Sequence, residues 1–243
     1  MTTKIETYLN SLSEDILKLN ISSKGIKSLP DLTRFKNLEE LDCSNNQLTS
    51  LPTLPKNLKI LYCSGNQLSS LPMLSETLER LVCYNNQLTL LPTLPKNLKI
   101  LYCSGNQLSS LPMLSETLER LVCYNNQLTL LPSLPQNLES LNFSNNQLTS
   151  LPTLPKNLKE LYCYNNPIYK IVNNDSLFQI KQKIQILNNF RHLYYCLKFK
   201  KQLRKLLWEK VREPSAKKLY NPKYLIENLG DDDDLDTVLN NWN

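Results

Sequence analysis

The feature that most limits what this chain can become is a period of twenty residues. Leu38-Glu39-Glu40-Leu41-Asp42-Cys43 opens a unit whose lead leucine returns at Leu58, Leu78, Leu98, Leu118, Leu138 and Leu158. The shared frame is L-x-x-L-x-C-x-x-N-x-L-x-x-L-P-x-L. Its third apolar place holds Cys43, Cys63, Cys83, Cys103, Cys123 and Cys163, with Phe143 in the remaining unit. Three residues later comes an asparagine, at Asn46, Asn66, Asn86, Asn106, Asn126, Asn146 and Asn166. A unit this short cannot enclose its own apolar side chains. The units must stack and share one continuous core.

Alternation within the unit predicts its first element. Leu41 and Cys43 fall on one face, and Glu40 and Asp42 on the other, as in a short strand with one buried side. Tandem copies stack such strands in parallel. The asparagine amide carries both donors and acceptors, so it suits the turn that follows, where backbone groups need partners. Repeated in register, these amides form a ladder. Leu48, Leu51 and Leu54 close the core from the returning side. Pro52 and Pro55 fix φ and lack N–H groups, which favours an extended, polyproline-like return over a helix. Ser75 and Ser115 take the second proline's place in alternate units.

This frame resembles the leucine-rich repeat, and its short proline-marked form is similar to the repeats of secreted bacterial effectors. The resemblance implies an α/β solenoid, a right-handed array of about eight parallel strands with extended returns. It also implies a protein-binding role on the concave strand face. Such effectors can add a ubiquitin-ligase domain with a catalytic cysteine. Cys196 is the sole cysteine outside the repeats, but Cys196-Leu197-Lys198 lacks the Cys-x-Asp motif, and the segment after the repeats is too short for that domain.

The expected organisation has three parts. Residues 1–15 form a helical N-terminal cap through Ile5, Tyr8, Leu9 and Leu12. Residues 16–172 form the solenoid, beginning with a degenerate unit in which Lys24 stands where asparagine belongs. Residues 173–243 form a helical C-terminal module. In it Leu177, Ile180, Ile184, Leu187, Phe190, Tyr194 and Leu197 follow helical spacing from an N-cap at Ser176. A break near Phe199–Lys201 would give two successive helices. We expect Leu177, Ile180 and Ile184 to cover the open edge of the last repeat. Inside the array, residues 51–92 and 91–132 are identical, the mark of a duplicated two-repeat block.

Candidate contacts follow from this layout. The outer strand positions offer Ile60, Tyr62 and Ser64, then Arg80, Val82 and Tyr84, and the copy repeats them from Ile100 to Tyr124. Tyrosine and arginine are favoured where proteins bind one another. The expected partner-binding residues are therefore Tyr62, Arg80, Tyr84, Tyr102, Arg120, Tyr124, Tyr162 and Tyr164. The competing reading is a solvated face with tyrosines packed across strands. A second candidate is the basic stretch Ser176–Arg212, with ten Lys or Arg and one acid. There Lys198, Lys200, Lys201, Arg204 and Lys205 are candidate contacts for nucleic acid or a nuclear import receptor. Its competing reading, a capping helix neutralised by Asp231–Asp236, is the stronger one.

Other chemistry lacks its parts. His192 is the only histidine, expected on the helix and partly buried. Cysteines in a straight row do not converge on a tetrahedral metal, so no metal or cofactor is expected, nor an enzyme. The thiols read as reduced core residues of an intracellular protein. No apolar run reaches membrane-spanning length. The tail segments Trp208–Pro214, Asn221–Leu229 and Asp231–Asp236 look like the C-terminal module of giant-virus (mimivirus) leucine-rich repeat proteins. That resemblance implies expression inside an amoebal host, with a host protein as the expected partner and the cytoplasm rather than the nucleus as the expected place.

Overall fold

The computed structural model describes residues 4–172 and 175–198. The chain falls into two compact units, Met1–Asn188 and Asn189–Asn243. The first opens with helix α1 (Lys4–Asn10), which buries Leu9 and ends well before residue 15. Strand β1 (Lys18–Asn20) follows. The repeats then supply β2 (Glu40–Asp42), β3 (Ile60–Tyr62), β4 (Arg80–Val82), β5 (Ile100–Tyr102), β6 (Arg120–Val122), β7 (Ser140–Asn142) and β8 (Glu160–Tyr162). The eight strands lie in chain order in one sheet, each parallel to the next. Register follows the sequence period: Leu41 pairs with Leu61, and Leu61 with Leu81.

Each strand is three residues long, and its middle leucine and the apolar residue just after it, cysteine in most repeats, point inward. Leu41, Leu61, Leu81, Leu101, Leu121 and Leu141 are fully buried, as are the cysteines from Cys43 to Cys123 and Phe143. The returns carry neither helix nor strand. Their leucines, Leu48 and Leu54 among them, close the other side of the core. Main-chain bonds continue past the strands: Cys63 N–H donates to Val82 O (2.9 Å), and Gln67 N–H donates to Leu48 O (2.9 Å).

The asparagines form the predicted ladder. The Asn66 carbonyl oxygen accepts from Leu48 N–H (3.0 Å), while its NH2 donates to Cys43 O and Cys63 O (both 3.1 Å). One amide thus satisfies backbone groups in two repeats. The same pattern recurs at Asn86, Asn106, Asn126, Asn146 and Asn166. Asn46 begins it by accepting from Lys24 N–H and Ile26 N–H (both 3.0 Å), so the degenerate first unit is held without an asparagine of its own.

A turn that the spacing did not reveal precedes each ladder asparagine. Asn45, Asn85, Asn125, Asn145 and Asn165 have φ between 51° and 55°, and Gly65 and Gly105 have φ of 63° and 60°. Asparagine and glycine are the residues that tolerate this left-handed region best.

The array ends in a short helix α2 (Tyr169–Val172) and a long one, α3 (Leu177–Lys198). Ile168, Val172, Ile180 and Ile184 join the repeat core, with Leu177 and Leu187 partly buried against it. Lys181 Nζ donates to Lys156 O (2.9 Å) and Leu158 O (3.0 Å), carbonyls of the last return. The expected stripe is therefore covered only in its first half, for Phe190 and Tyr194 are exposed. Helical spacing marks apolar positions without saying what lies over them. His192 is exposed rather than partly buried.

Candidate functional site

The outer face of the sheet is built from two columns of side chains. One runs Glu40, Ile60, Arg80, Ile100, Arg120, Ser140 and Glu160, the other Asp42, Tyr62, Val82, Tyr102, Val122, Asn142 and Tyr162. Side chains alternate across a strand, so both columns point away from the buried leucines. The identical blocks make the pattern repeat every second strand. Tyr62 and Tyr102 are half-buried, as is Arg80, while Arg120 and Tyr162 are exposed.

Two residues read from sequence as part of this face are inside. Ser64 and Ser104 are buried, and their hydroxyls donate to Val82 O and Val122 O (3.2 Å each). A small hydroxyl whose bond is met by the neighbouring strand can sit within the stack. Val82, in register between Tyr62 and Tyr102, is also buried. Tyr84, Tyr124 and Tyr164 lie beyond the strand ends and are exposed. Tyr164 rests its ring against Tyr169 of α2, centroids 5.4 Å apart.

Electrostatics separates the face from its border. Next to the first column, Lys59 pairs with Glu39 (2.6 Å), Lys99 with Glu79 (2.8 Å) and Lys159 with Glu139 (2.8 Å). The bond to Glu79 and that carboxylate's charge hold the Lys99 ammonium above its ordinary value, and Glu119 adds to the field. Such exposed pairs add little stability, and they leave one border carboxylate, Glu119 beside Arg120, without an ion pair among the described residues. Among the described residues, Arg80 and Arg120 form no ion pair. A hollow of about 160 Å³ lies between Arg80 and that border, lined by Ile60, Arg80, Ile100, Lys59, Glu79 and Lys99. It is smaller than typical small-molecule pockets, about 300–1,000 Å³. A larger hollow of about 620 Å³ lies beside α1, lined by residues that include Ile5, Tyr8, Ile21, Lys24 and Ile26.

The thiol row lies behind the face, in the core. Burial pushes Cys43 and Cys103 up to about 12 and holds Cys63, Cys83 and Cys123 well above the ordinary value, with neighbouring thiols adding to the effect at those three. Neutral thiols of this kind serve as small apolar side chains, not nucleophiles. Of the basic candidates, Lys198 ends α3, exposed, with its Nζ 5.7 Å from the centre of the Tyr194 ring. Lys200, Lys201, Arg204 and Lys205 lie outside the described residues, as do the tail segments from Trp208 onward. Cys196 falls within α3.

Sequence reasoning missed four exposed apolar side chains away from the strands. Met73 and Met113 are 87% exposed, and Leu90 and Leu130 are 60% and 62% exposed, all on the returns. The available signal is variation: the same two places hold Thr53, Thr93 and Ser133, or Ser50, Ser70 and Ser110, while the core places keep leucine.

A family profile described as leucine-rich repeats (2 copies) matches residues 16–56 and 136–177. Among solved structures, YopM from Yersinia enterocolitica is 37% identical with a TM-score of 0.54, aligned over 65% of this chain and 39% of its own. A leucine-rich repeat domain of a Shigella effector is 33% identical with a TM-score of 0.58, aligned over 68% of this chain and 74% of its own. The functional domain of InlJ from Listeria monocytogenes, described as including a cysteine ladder, is 27% identical with a TM-score of 0.56, over 62% and 35%. The chain thus spans well under two thirds of the YopM and InlJ structures it resembles. No curated protein sequence matches it significantly. No helix among the described residues is long and apolar enough to cross a membrane.

Proposed function

We propose that this chain, which belongs to the leucine-rich repeat family, holds a protein partner against the outer face of its strands. That fold is generally a non-enzymatic binding scaffold. The observation that carries the reading is the duplicated set of Tyr62, Arg80, Tyr102 and Arg120, the tyrosines in one column of the sheet and the arginines in the other, on alternate strands. Outward tyrosines give large contact area with few rotatable bonds, and arginine adds planar hydrogen bonding. Tyr84, Tyr124, Tyr162 and Tyr164 extend the contact surface. We place the partner inside a host cell. Similarity to the leucine-rich repeat domain of a Shigella effector supports that setting.

The test replaces Tyr62, Arg80, Tyr102, Arg120 and Tyr162 together by alanine. None of the five contributes to the core, so the circular dichroism spectrum and melting curve should stay close to wild type. Interface hot spots typically cost about 2 kcal/mol or more on truncation, so a micromolar partner captured by the wild type should be lost. Retention of the same partner by a folded five-fold variant rules out the strand face.

A further inference from the structure

We propose that the segment held by this face is an acidic polyproline-II stretch with a carboxylate at every third residue, an inference that deepens the strand-face reading and rests on it. The argument begins with spacing. Arg80 and Arg120 share one column two strands apart, and Tyr62 and Tyr102 share the other at the same separation, offset by one strand. Neighbouring strands are about 4.8 Å apart, so each pair is separated by about 9.6 Å. A polyproline-II helix has three residues per turn and rises about 3.1 Å per residue, returning a side chain to the same side after about 9.3 Å. A β-strand returns one after about 6.7 Å, and an α-helix turn after about 5.4 Å. Only the polyproline-II repeat matches the face turn for turn.

Charge selects what that repeat carries. Arg80 and Arg120 are the cations of the patch and form no ion pair, unlike Lys59, Lys99 and Lys159 at its border. Ile60, Tyr62, Arg80, Val82, Ile100, Tyr102, Arg120 and Val122, the outward strand residues of the duplicated block, include no acid. Along its border Glu79 is paired with Lys99 and Glu119 has no ion pair among the described residues, and carboxylates also bracket the block: Glu40, bonded to Lys18 (2.7 Å), with Asp42 at one end, and Glu160, accepting from Ser140 Oγ (2.8 Å), at the other. These repel an acidic segment that overruns the block and so define its length and position. Arginine's planar fork suits a carboxylate, and flat tyrosine rings suit the prolines between, as in other aromatic platforms for proline-rich segments.

The experiment uses the full chain and three synthetic peptides, read by fluorescence anisotropy. One has two repeats of Glu-Pro-Pro, one two repeats of Gln-Pro-Pro, and one two repeats of Glu-Pro-Pro-Pro, which keeps the charge but breaks the spacing. The first should bind at least about tenfold more tightly than either other, since two desolvated charge pairs are at stake. Its advantage should shrink as salt rises. In the Arg80→Gln/Arg120→Gln variant, shown to be folded by circular dichroism, the first two peptides should bind alike. The proposal is overturned if the charged peptide shows no binding, no preference over glutamine, or no dependence on spacing. It is equally overturned if the preference survives loss of both arginines, or if an oligothymidylate of equal charge binds more tightly. Tyr62→Ala/Tyr102→Ala separates this failure from that of the wider reading. Glutamine-peptide binding lost in that variant keeps the strand face and removes the acidic requirement. Binding unaffected by both variants removes the strand face as well.

Discussion

At the scale of single residues, the chain relies on groups that do two things at once. The Asn106 carboxamide accepts from Leu88 N–H (3.0 Å) and donates to Cys83 O and Cys103 O (3.1 Å each), so one buried side chain serves two repeats. Between successive amides lie the thiols, and their behaviour with pH is a testable consequence. In the unfolded chain a cysteine ionises near its ordinary value of 9.0, whereas folded Cys43 and Cys103 hold their protons to about 12. Below pH 9 both states keep the proton, and the thiols leave stability independent of pH. Above it only the unfolded state ionises, so stability falls as pH rises from 9 to about 12, by about 1.4 kcal/mol per pH unit for each such thiol. Replacing Cys83 and Cys103 by alanine should flatten urea midpoints measured across that range by two thiols' worth. An unchanged slope would show that these thiols already ionise in the native state.

At the scale of elements, α3 offers a contrast within one helix. Ile184 is 1% exposed and Phe190 is 66% exposed, although both belong to the same apolar stripe in the sequence. Ile184→Asp buries a carboxylate in the core and should cost about 3 kcal/mol or more in urea unfolding. Phe190→Asp should stay within about 0.5 kcal/mol of wild type. Equal effects would mean that α3 does not close the array. The strands, their inward leucines and the asparagine ladder were legible because a twenty-residue period repeats the same demand seven times and leaves one pattern that meets it. Helix α2 was not, since Tyr169–Val172 is a single turn too short to show periodicity. The left-handed turns were hidden in plain sight: the doubled Asn45-Asn46 reads as two polar residues unless each is given its own backbone task. Burial of Ser64 depends on what its neighbouring strand provides, which no single repeat records.

At the scale of the whole molecule, identity between blocks makes length adjustable. Deleting residues 91–130 joins Leu90 to Leu131, a junction with the same local sequence as the native Leu130–Leu131. The shortened chain should fold with the same type of circular dichroism spectrum and melt cooperatively at a lower temperature, because repeat stability sums over units and their interfaces. It keeps Tyr62 and Arg80 but loses Tyr102 and Arg120, so its affinity for the Glu-Pro-Pro peptide should drop at least about tenfold. Failure of the deletion to fold would contradict the equivalence of the blocks. The site was partly legible in the same way. Outward Tyr and Arg can be read from alternation, but that Arg80 and Arg120 form no ion pair among the described residues depends on where Lys59, Lys99 and their glutamates point in space.

The final repeat bears on how such a chain lengthens over generations. In earlier repeats the residue after the ladder asparagine is glutamine, and its N–H donates to the preceding return, as Gln147 does to Leu128 O (2.9 Å). At the end that residue is Pro167, which has no N–H to give. Ile168 N–H reaches Leu148 O instead (2.9 Å), one residue late, and the chain turns into α2. A new repeat appended there would start one residue out of step with this bond in the unit behind it. A whole unit inserted between two existing repeats meets the same glutamine bond on both sides. The two copies at 51–92 and 91–132 lie in that interior.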